Sequence, residues 1–170
     1  QIPCYNEEKH LPLVLNELPK KINGISDIKI LIIDDGSTDN TSEVAIKNKV
    51  DHILKIPSNK GLANAFIKGI NASLNLGADV IVNIDADNQY CANDIEKLIQ
   101  PIIFSDADIV IGSRPINEIK HFSIFKKILQ SLGSWVVRYA SDTKIKDAPS
   151  GFRAISKQAA ASVSGLRGNS

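Results

Sequence analysis

The sequence predicts an α/β sandwich built on a mainly parallel central sheet. Short apolar runs rich in β-branched residues alternate with segments whose apolar residues recur at helical spacing, the signature of strand–helix units packed in layers. Polar clusters follow the apolar runs one after another: PCYNEE, DDGSTDN, DADNQ and GSR. Open parallel sheets gather their ligand-binding residues beyond the carboxyl ends of their strands, so clusters at those ends would face one site. A chain of 170 residues, 43% apolar and 23% charged, is long enough for one sizeable core and ordinary for a soluble globular protein.

The elements follow in order. Ile2-Pro3 reads as the tail of a strand. Asn6 is placed to cap the next helix, with Glu7 and Glu8 at its positive end, and Leu11, Val14, Leu15, Leu18 and Ile22 keep helical spacing. Pro12 falls early, where a helix tolerates it, and Pro19 ends or kinks the helix. IKILIID (28–34) is a strand buried on both faces, and the segment after it turns into a second helix. HILKI (52–56) is a strand, and 59–77 a helix with Leu62, Ala65, Phe66, Gly69 and Ile70 on one side. DVIVNID (79–85) is a strand, Asn93 and Glu96 resemble a capping box for the helix DIEKLIQPII, and DIVIGS (108–113) is a further strand. Residues 124–140 read as an amphipathic helix through Phe125, Ile128, Leu129, Leu132, Val136 and Tyr139. No repeat or linker divides the chain, so 1–170 reads as one domain.

Composition excludes several classes. A net charge of +1 gives no reason to expect nucleic acid. Cys4 and Cys91 stand far apart without a CxxC or Cys/His cluster, which argues against zinc and against a disulfide framework and fits reduced thiols in the cytosol. There is no signal peptide and no membrane-length apolar run. The chain opens at Gln1 without Met and stops at LRGNS soon after a helix start, so it reads as a fragment of a longer protein cut at both ends. Attachment to the cytosolic face of a membrane would then come from regions outside it.

The chemistry concentrates in VNIDADNQY (82–90). In extended backbone Asp85, Asp87 and Gln89 share one face, and three oxygen-bearing side chains aimed at one spot suit a hard cation such as Mg²⁺ or Mn²⁺. A turn ending the strand is the plainer alternative for D-x-D alone. No G-x-G-x-x-G follows a strand and no GxxxxGK[ST] is present, which disfavours a dinucleotide site and a P-loop. Asp34 and Asp35 can accept hydrogen bonds from a base N–H or ribose hydroxyls, while Asp85 and Asp87 can meet a diphosphate through a metal. Together these describe a pocket for a nucleoside diphosphate.

Six stretches, PCYNEE, LIIDDGSTDNT, NKGLANAFIKGI, VNIDADNQ, VIGSR and DAPSGFRAIS, resemble in order those of the family 2 glycosyltransferases, whose fold is termed GT-A. The resemblance covers essentially the whole chain and is strongest to the branch of dolichol-phosphate mannose synthases and polyprenyl-phosphate glycosyltransferases. It implies an inverting transfer from a nucleoside-diphosphate sugar, GDP-mannose or a UDP-sugar, to a polyprenyl phosphate. It also implies that Pro3, Tyr5, Glu7, Asp34 and Asp35 hold base and ribose, and that Asp85, Asp87 and Gln89 hold metal and diphosphate. Arg114 would lie near the diphosphate or acceptor phosphate, with Ser150 and Arg153 in the acceptor region. A lipid phosphate is already anionic and needs no strong base; a sugar hydroxyl would need one, and Asp147 is the candidate. Two alternatives stay open: a polysaccharide, glycolipid or protein glycosyltransferase using Asp147, and a sugar-nucleotide-binding module without catalysis. Lys120, His121, Lys126 and Lys127 beside Phe122, Ile124 and Phe125 suit peripheral contact with a membrane surface; packing of that helix on the core is the other reading.

Overall fold

The computed structural model describes residues 1–87, 94–112 and 150–165. Its elements are β1 (Ile2–Cys4), α1 (Leu11–Glu17), β2 (Leu31–Asp34), α2 (Thr41–Lys47), β3 (His52–Lys55), α3 (Leu62–Asn75), β4 (Val80–Asn83), α4 (Ile95–Phe104), β5 (Ile109–Ile111), β6 (Arg153–Ser156) and α5 (Lys157–Gly165). β1, β2 and β3 pair in parallel, with Ile2 opposite Ile32 and Leu31 opposite His52. β6 lies between β4 and β5, antiparallel to both, with Arg153 opposite Asn83 and Ile111. Gln1 joins the two groups: its amine donates to the Val82 carbonyl at 2.6 Å, and its carbonyl accepts from the Ile84 amide at 3.1 Å. The strand order is therefore β3-β2-β1-β4-β6-β5, and every strand but β6 runs the same way.

Alternation along the strands sorts the core into two layers. Ile2, Cys4, Ile32, Ile84 and Ala154 pack with Leu11, Val14, Ala45, Leu98 and Ile99 of α1, α2 and α4. Leu31 and Ile33 pack on Ala65 of α3, and Ile81 and Ile155 pack on Ile70 of α3 and Ala160 of α5. This is the sandwich expected, with three helices on one face and two on the other among the described residues.

Several local expectations change. α1 starts at Leu11 with His10 at its cap position, so Asn6 does not cap it; the helix stops at Glu17 before Pro19, leaving buried Ile22 outside it. α4 is preceded by Asp94, which makes no side-chain cap bond, and Asn93 lies outside the described residues. Leu62 is 62% exposed rather than on the buried side of α3, which is formed by Ala65, Gly69, Ile70 and Ser73. Residues 153–156, read from sequence as part of a binding segment, form β6. The amphipathic segment 124–140 and the basic residues beside it lie outside the described residues.

Candidate functional site

The strand order reverses at β1. From β1 the chain moves outward through β2 to β3, then returns to the other side of β1 as β4. Open α/β sheets bind ligands in the crevice at such a switch point. Pro3 lies beside it. Gln1 uses its backbone groups toward β4, and Cys4 offers its carbonyl to the Asp35 amide beyond β2 at 2.9 Å. By alternation Pro3 faces β4, where the next ladder bond would run to the Ile84 carbonyl. Proline has no N–H to donate, so the seam lacks its next hydrogen bond there.

The loop after β1 is held by the loop after β2. Asn6 has φ +58°, a left-handed conformation that Asn tolerates, and its Oδ1 accepts the Thr38 amide at 2.8 Å. The Asn6, Glu7 and Glu8 amides donate to Ser37 Oγ at 3.0 Å, Thr41 Oγ1 at 2.8 Å and Asp39 Oδ2 at 3.1 Å. Glu8 in return accepts from the Asn40 amide and side chain at 3.1 and 3.0 Å. Glu7 Oε2 meets His10 Nδ1 at 2.9 Å. Tyr5 stands at the tip of β1, 46% exposed, on this fixed base. Ser37, Thr38, Asp39 and Thr41 are not among the candidate residues of the sequence; their signal there is a run of short side chains able to bond nearby backbone.

Asp34 and Asp35 end β2 almost wholly buried, at 5% and 3% exposure. Asp34 takes the Ser37 amide at 2.8 Å and the Ser42 hydroxyl. Burial works against its charge, but these hydrogen bonds outweigh it and hold the carboxyl below the usual range. Asp35 takes the Lys60 amide at 3.0 and 3.1 Å on its two oxygens and the Gly61 amide at 2.8 Å, which ties the start of α3 to β2. Gly36 between them and the loop has φ +75°, and a Cβ there would come within 2.6 Å of the Asn59 nitrogen. Both carboxylates are thus engaged by protein donors and frame the β1–β2 side. Cys4 is buried at the end of β1, and burial pushes its thiol up.

At the β4 side, the ladder ends at Asn83 and residues 86–87 form a turn, so Asp87 does not continue the strand. The β4–β6 register pairs Ile81 with Ile155 and Asn83 with Arg153. Extended two residues past the last pair, it would set Asp85 opposite Gly151. The Asp85 carboxylate lies against the Gly151 Cα, where a Cβ would collide with both its oxygens. Asn83 Nδ2 donates to the Gly151 carbonyl at 2.7 Å, and Asn83 Oδ1 accepts from Gln1 Nε2 at 2.9 Å. Arg153 donates through Nη2 to the Ser150 carbonyl at 2.5 Å, and its guanidinium carbon is 5.4 Å from the Phe66 ring centroid. Its Nε is buried without a hydrogen-bond partner among the described residues. Ser150 is fully buried, and its hydroxyl accepts the Phe152 amide at 3.2 Å. Gln89, Arg114 and Asp147 lie outside the described residues.

The donor set fits a hard divalent cation in its chemistry: half-buried Asp85 and exposed Asp87 bring two carboxylates to the switch point. No three His, Cys, Asp or Glu side chains converge among the described residues. An ion here would therefore take further oxygens from a diphosphate and water, as Mg²⁺ commonly does. A cleft of about 580 Å³ lies at the opposite, amino end of the sheet, lined by Ile22, Ile25, Ile99 and Ile103. Gln1, Asp27, Lys29, His52, Ser73 and Asp79 also line it.

Residues 1–164 match the family described as Glycosyl transferase family 2. The UDP-N-acetylglucosamine–dolichyl-phosphate N-acetylglucosaminyltransferase of Methanococcus voltae is 37% identical over 93% of this chain and 68% of its own length. The undecaprenyl-phosphate mannosyltransferase of Micrococcus luteus is 31% identical over 90% of this chain and 63% of its own. The chain thus spans 63% to 68% of these relatives. Among solved structures, glucosyl-3-phosphoglycerate synthase of Mycobacterium tuberculosis in complex with Mn²⁺, UDP-glucose and phosphoglyceric acid superposes with TM-score 0.71 at 19% identity, covering 92% of this chain and 55% of that one.

Proposed function

The chain belongs to glycosyl transferase family 2, and from that premise we propose that it binds a nucleoside-diphosphate sugar and transfers the sugar to a polyprenyl phosphate. Its fold is GT-A. The observation that carries the proposal is the meeting of four segments at one crevice: the carboxyl ends of β1, β2 and β4 and the entry to β6.

The donor has parts that need different surfaces. Base and ribose take the β1–β2 side, where Tyr5 offers an exposed ring and Pro3, Glu7, Asp34 and Asp35 set the frame. Asp85 and Asp87, with Gln89, hold Mn²⁺ or Mg²⁺ beside the diphosphate. The ion, when bound, neutralises charge that grows on the diphosphate as the sugar departs. Arg114 adds positive charge there. Arg153, oriented by the Ser150 carbonyl and Phe66, presents its guanidinium toward the acceptor's phosphate.

Relatives named for dolichyl and undecaprenyl phosphates support a lipid phosphate as acceptor. Its anionic oxygen attacks the sugar C1, the C1–O bond to the diphosphate breaks, and the nucleoside diphosphate leaves with inversion at C1. No proton has to be removed. Asp147 has work only if the acceptor is a hydroxyl. A lipid acceptor brings the reaction to a membrane surface, with Lys120, Lys126 and Lys127 beside Phe125 as the proposed contact; no helix among the described residues is long and apolar enough to cross a membrane.

Transfer to undecaprenyl or dolichyl phosphate should fall by about 100-fold or more in Asp87→Ala, the scale of losing one preorganised charge stabiliser. Turnover unchanged in that variant overturns the proposal.

A further inference from the structure

The segment entering β6 and the carboxylate ending β4 are locked together by a contact that neither motif reveals alone. Continued two residues past Asn83–Arg153, where the ladder ends, the β4–β6 register would set Asp85 opposite Gly151. Side chains of such a pair share a face and meet directly. Here one partner has no side chain, and the Asp85 carboxylate occupies the space a Cβ would fill.

Gly151 is held from several directions. Its carbonyl accepts Asn83 Nδ2 at 2.7 Å. The neighbouring Phe152 carbonyl accepts the Gly112 amide at 2.8 Å, and the Phe152 amide donates to Ser150 Oγ at 3.2 Å. Asn83 is fixed in turn, since Gln1 Nε2 donates to its Oδ1 at 2.9 Å and to the Phe66 carbonyl at 3.3 Å. The backbone at 151 is therefore anchored through its carbonyl and its neighbours, and the Asp85 carboxylate packs directly against it.

We propose that Gly151, clamped by Asn83, is a positioning residue: the bare backbone at 151 sets where the Asp85 carboxylate sits and so sets the affinity of the divalent-cation site. This rests on the reading of Asp85 as a cation ligand. The atoms a Cβ would strike are Oδ1, Oδ2 and Cγ of Asp85, so the collision is relieved by turning that side chain about χ1, away from its present contacts, rather than by shifting the hydrogen-bonded backbone. Gly151→Ala should consequently keep the fold and misplace the carboxylate.

The test is Mn²⁺ binding in the presence of UDP or of GDP, followed by the electron paramagnetic resonance signal of free Mn²⁺, with a thermal melt on each sample. Gly151→Ala should weaken Mn²⁺ about tenfold or more, comparable to loss of a supporting partner of a metal ligand. Asp85→Ala should weaken it at least as much, and Gly151→Ala should add no further loss in the Asp85→Ala background, because the struck atoms are gone. Asn83→Ala, which loosens the backbone at 151 without adding an atom, should weaken Mn²⁺ several-fold and decides the matter if Gly151→Ala does not fold. If Asp85→Ala lowers Mn²⁺ affinity while Gly151→Ala (or Asn83→Ala in its place) does not, the inference fails and the cation-site reading stands. If Asp85→Ala leaves Mn²⁺ binding unchanged, that reading fails and takes the inference with it. Additive losses in the double variant would also overturn it, since they would mark a general structural effect.

Discussion

Asp34 and Asp35 are adjacent carboxylates with separate tasks. Asp34 is bonded to Ser37 and Ser42 within its own strand–helix turn, whereas Asp35 reaches across to the amides that open α3. Asp34 titrates below its ordinary value, so its ionised form stabilises the fold. That stabilisation is fully present above the unfolded value of about 3.9 and is lost as pH falls through the lower folded value. Ser42→Ala removes one donor and should cost about 1.5–3 kcal/mol at neutral pH, the range for a hydrogen bond to a charged group. The difference from the unsubstituted protein should shrink below about pH 4. Urea unfolding across pH 7 to 3 checks this, and a difference independent of pH contradicts it. The sequence showed these residues as a polar cluster at a strand end. It could not show that the carboxylates turn inward, because the donors that satisfy Asp35 come from Lys60 and Gly61, twenty-five residues and more downstream.

Among the elements, the seam between β1 and β4 borders the proposed crevice. Pro3 leaves that seam without its next hydrogen bond, and Pro3→Ala would restore an N–H facing the Ile84 carbonyl. The new hydrogen bond gains roughly 1 kcal/mol, while loss of proline's restraint on the unfolded chain gives back roughly 0.4–1 kcal/mol. Stability should therefore stay within about 1 kcal/mol of the starting value while the crevice narrows and donor binding weakens. Hydrogen exchange should show a protected amide at position 3; an unprotected amide there would contradict this account of the seam. Most of the other elements were legible, because strands such as LIID and VIVN are short apolar runs and α3 carries a clear buried stripe. β6 was not. RAIS holds a charge and a hydroxyl, and becomes a strand through the ladders that β4 and β5 offer on its two sides. The cap expected at Asn6 failed for a related reason: the DDGSTD loop supplies stronger long-range partners than the start of α1 does.

At the scale of the whole molecule, two helical layers cover the sheet and leave its carboxyl edge to the loops. The ordered clusters at strand ends made that edge predictable, since polar side chains after each strand have little reason to recur unless they face one ligand. The division of labour along the edge was less visible, because spacing alone does not reveal that Asp85 rests on Gly151 or that Asp87 sits in a turn. The central claim is that this edge holds a nucleoside-diphosphate sugar through a divalent ion at Asp85 and Asp87. The most direct test is calorimetric titration of GDP-mannose, UDP-glucose and UDP-N-acetylglucosamine with Mn²⁺ and with EDTA, using the protein and its Asp85→Ala/Asp87→Ala variant. The account predicts one donor that binds with Mn²⁺, binds at least about tenfold more weakly in EDTA, and shows no Mn²⁺ dependence in the variant. Binding of equal strength with and without Mn²⁺, or unchanged by removal of both carboxylates, would contradict it.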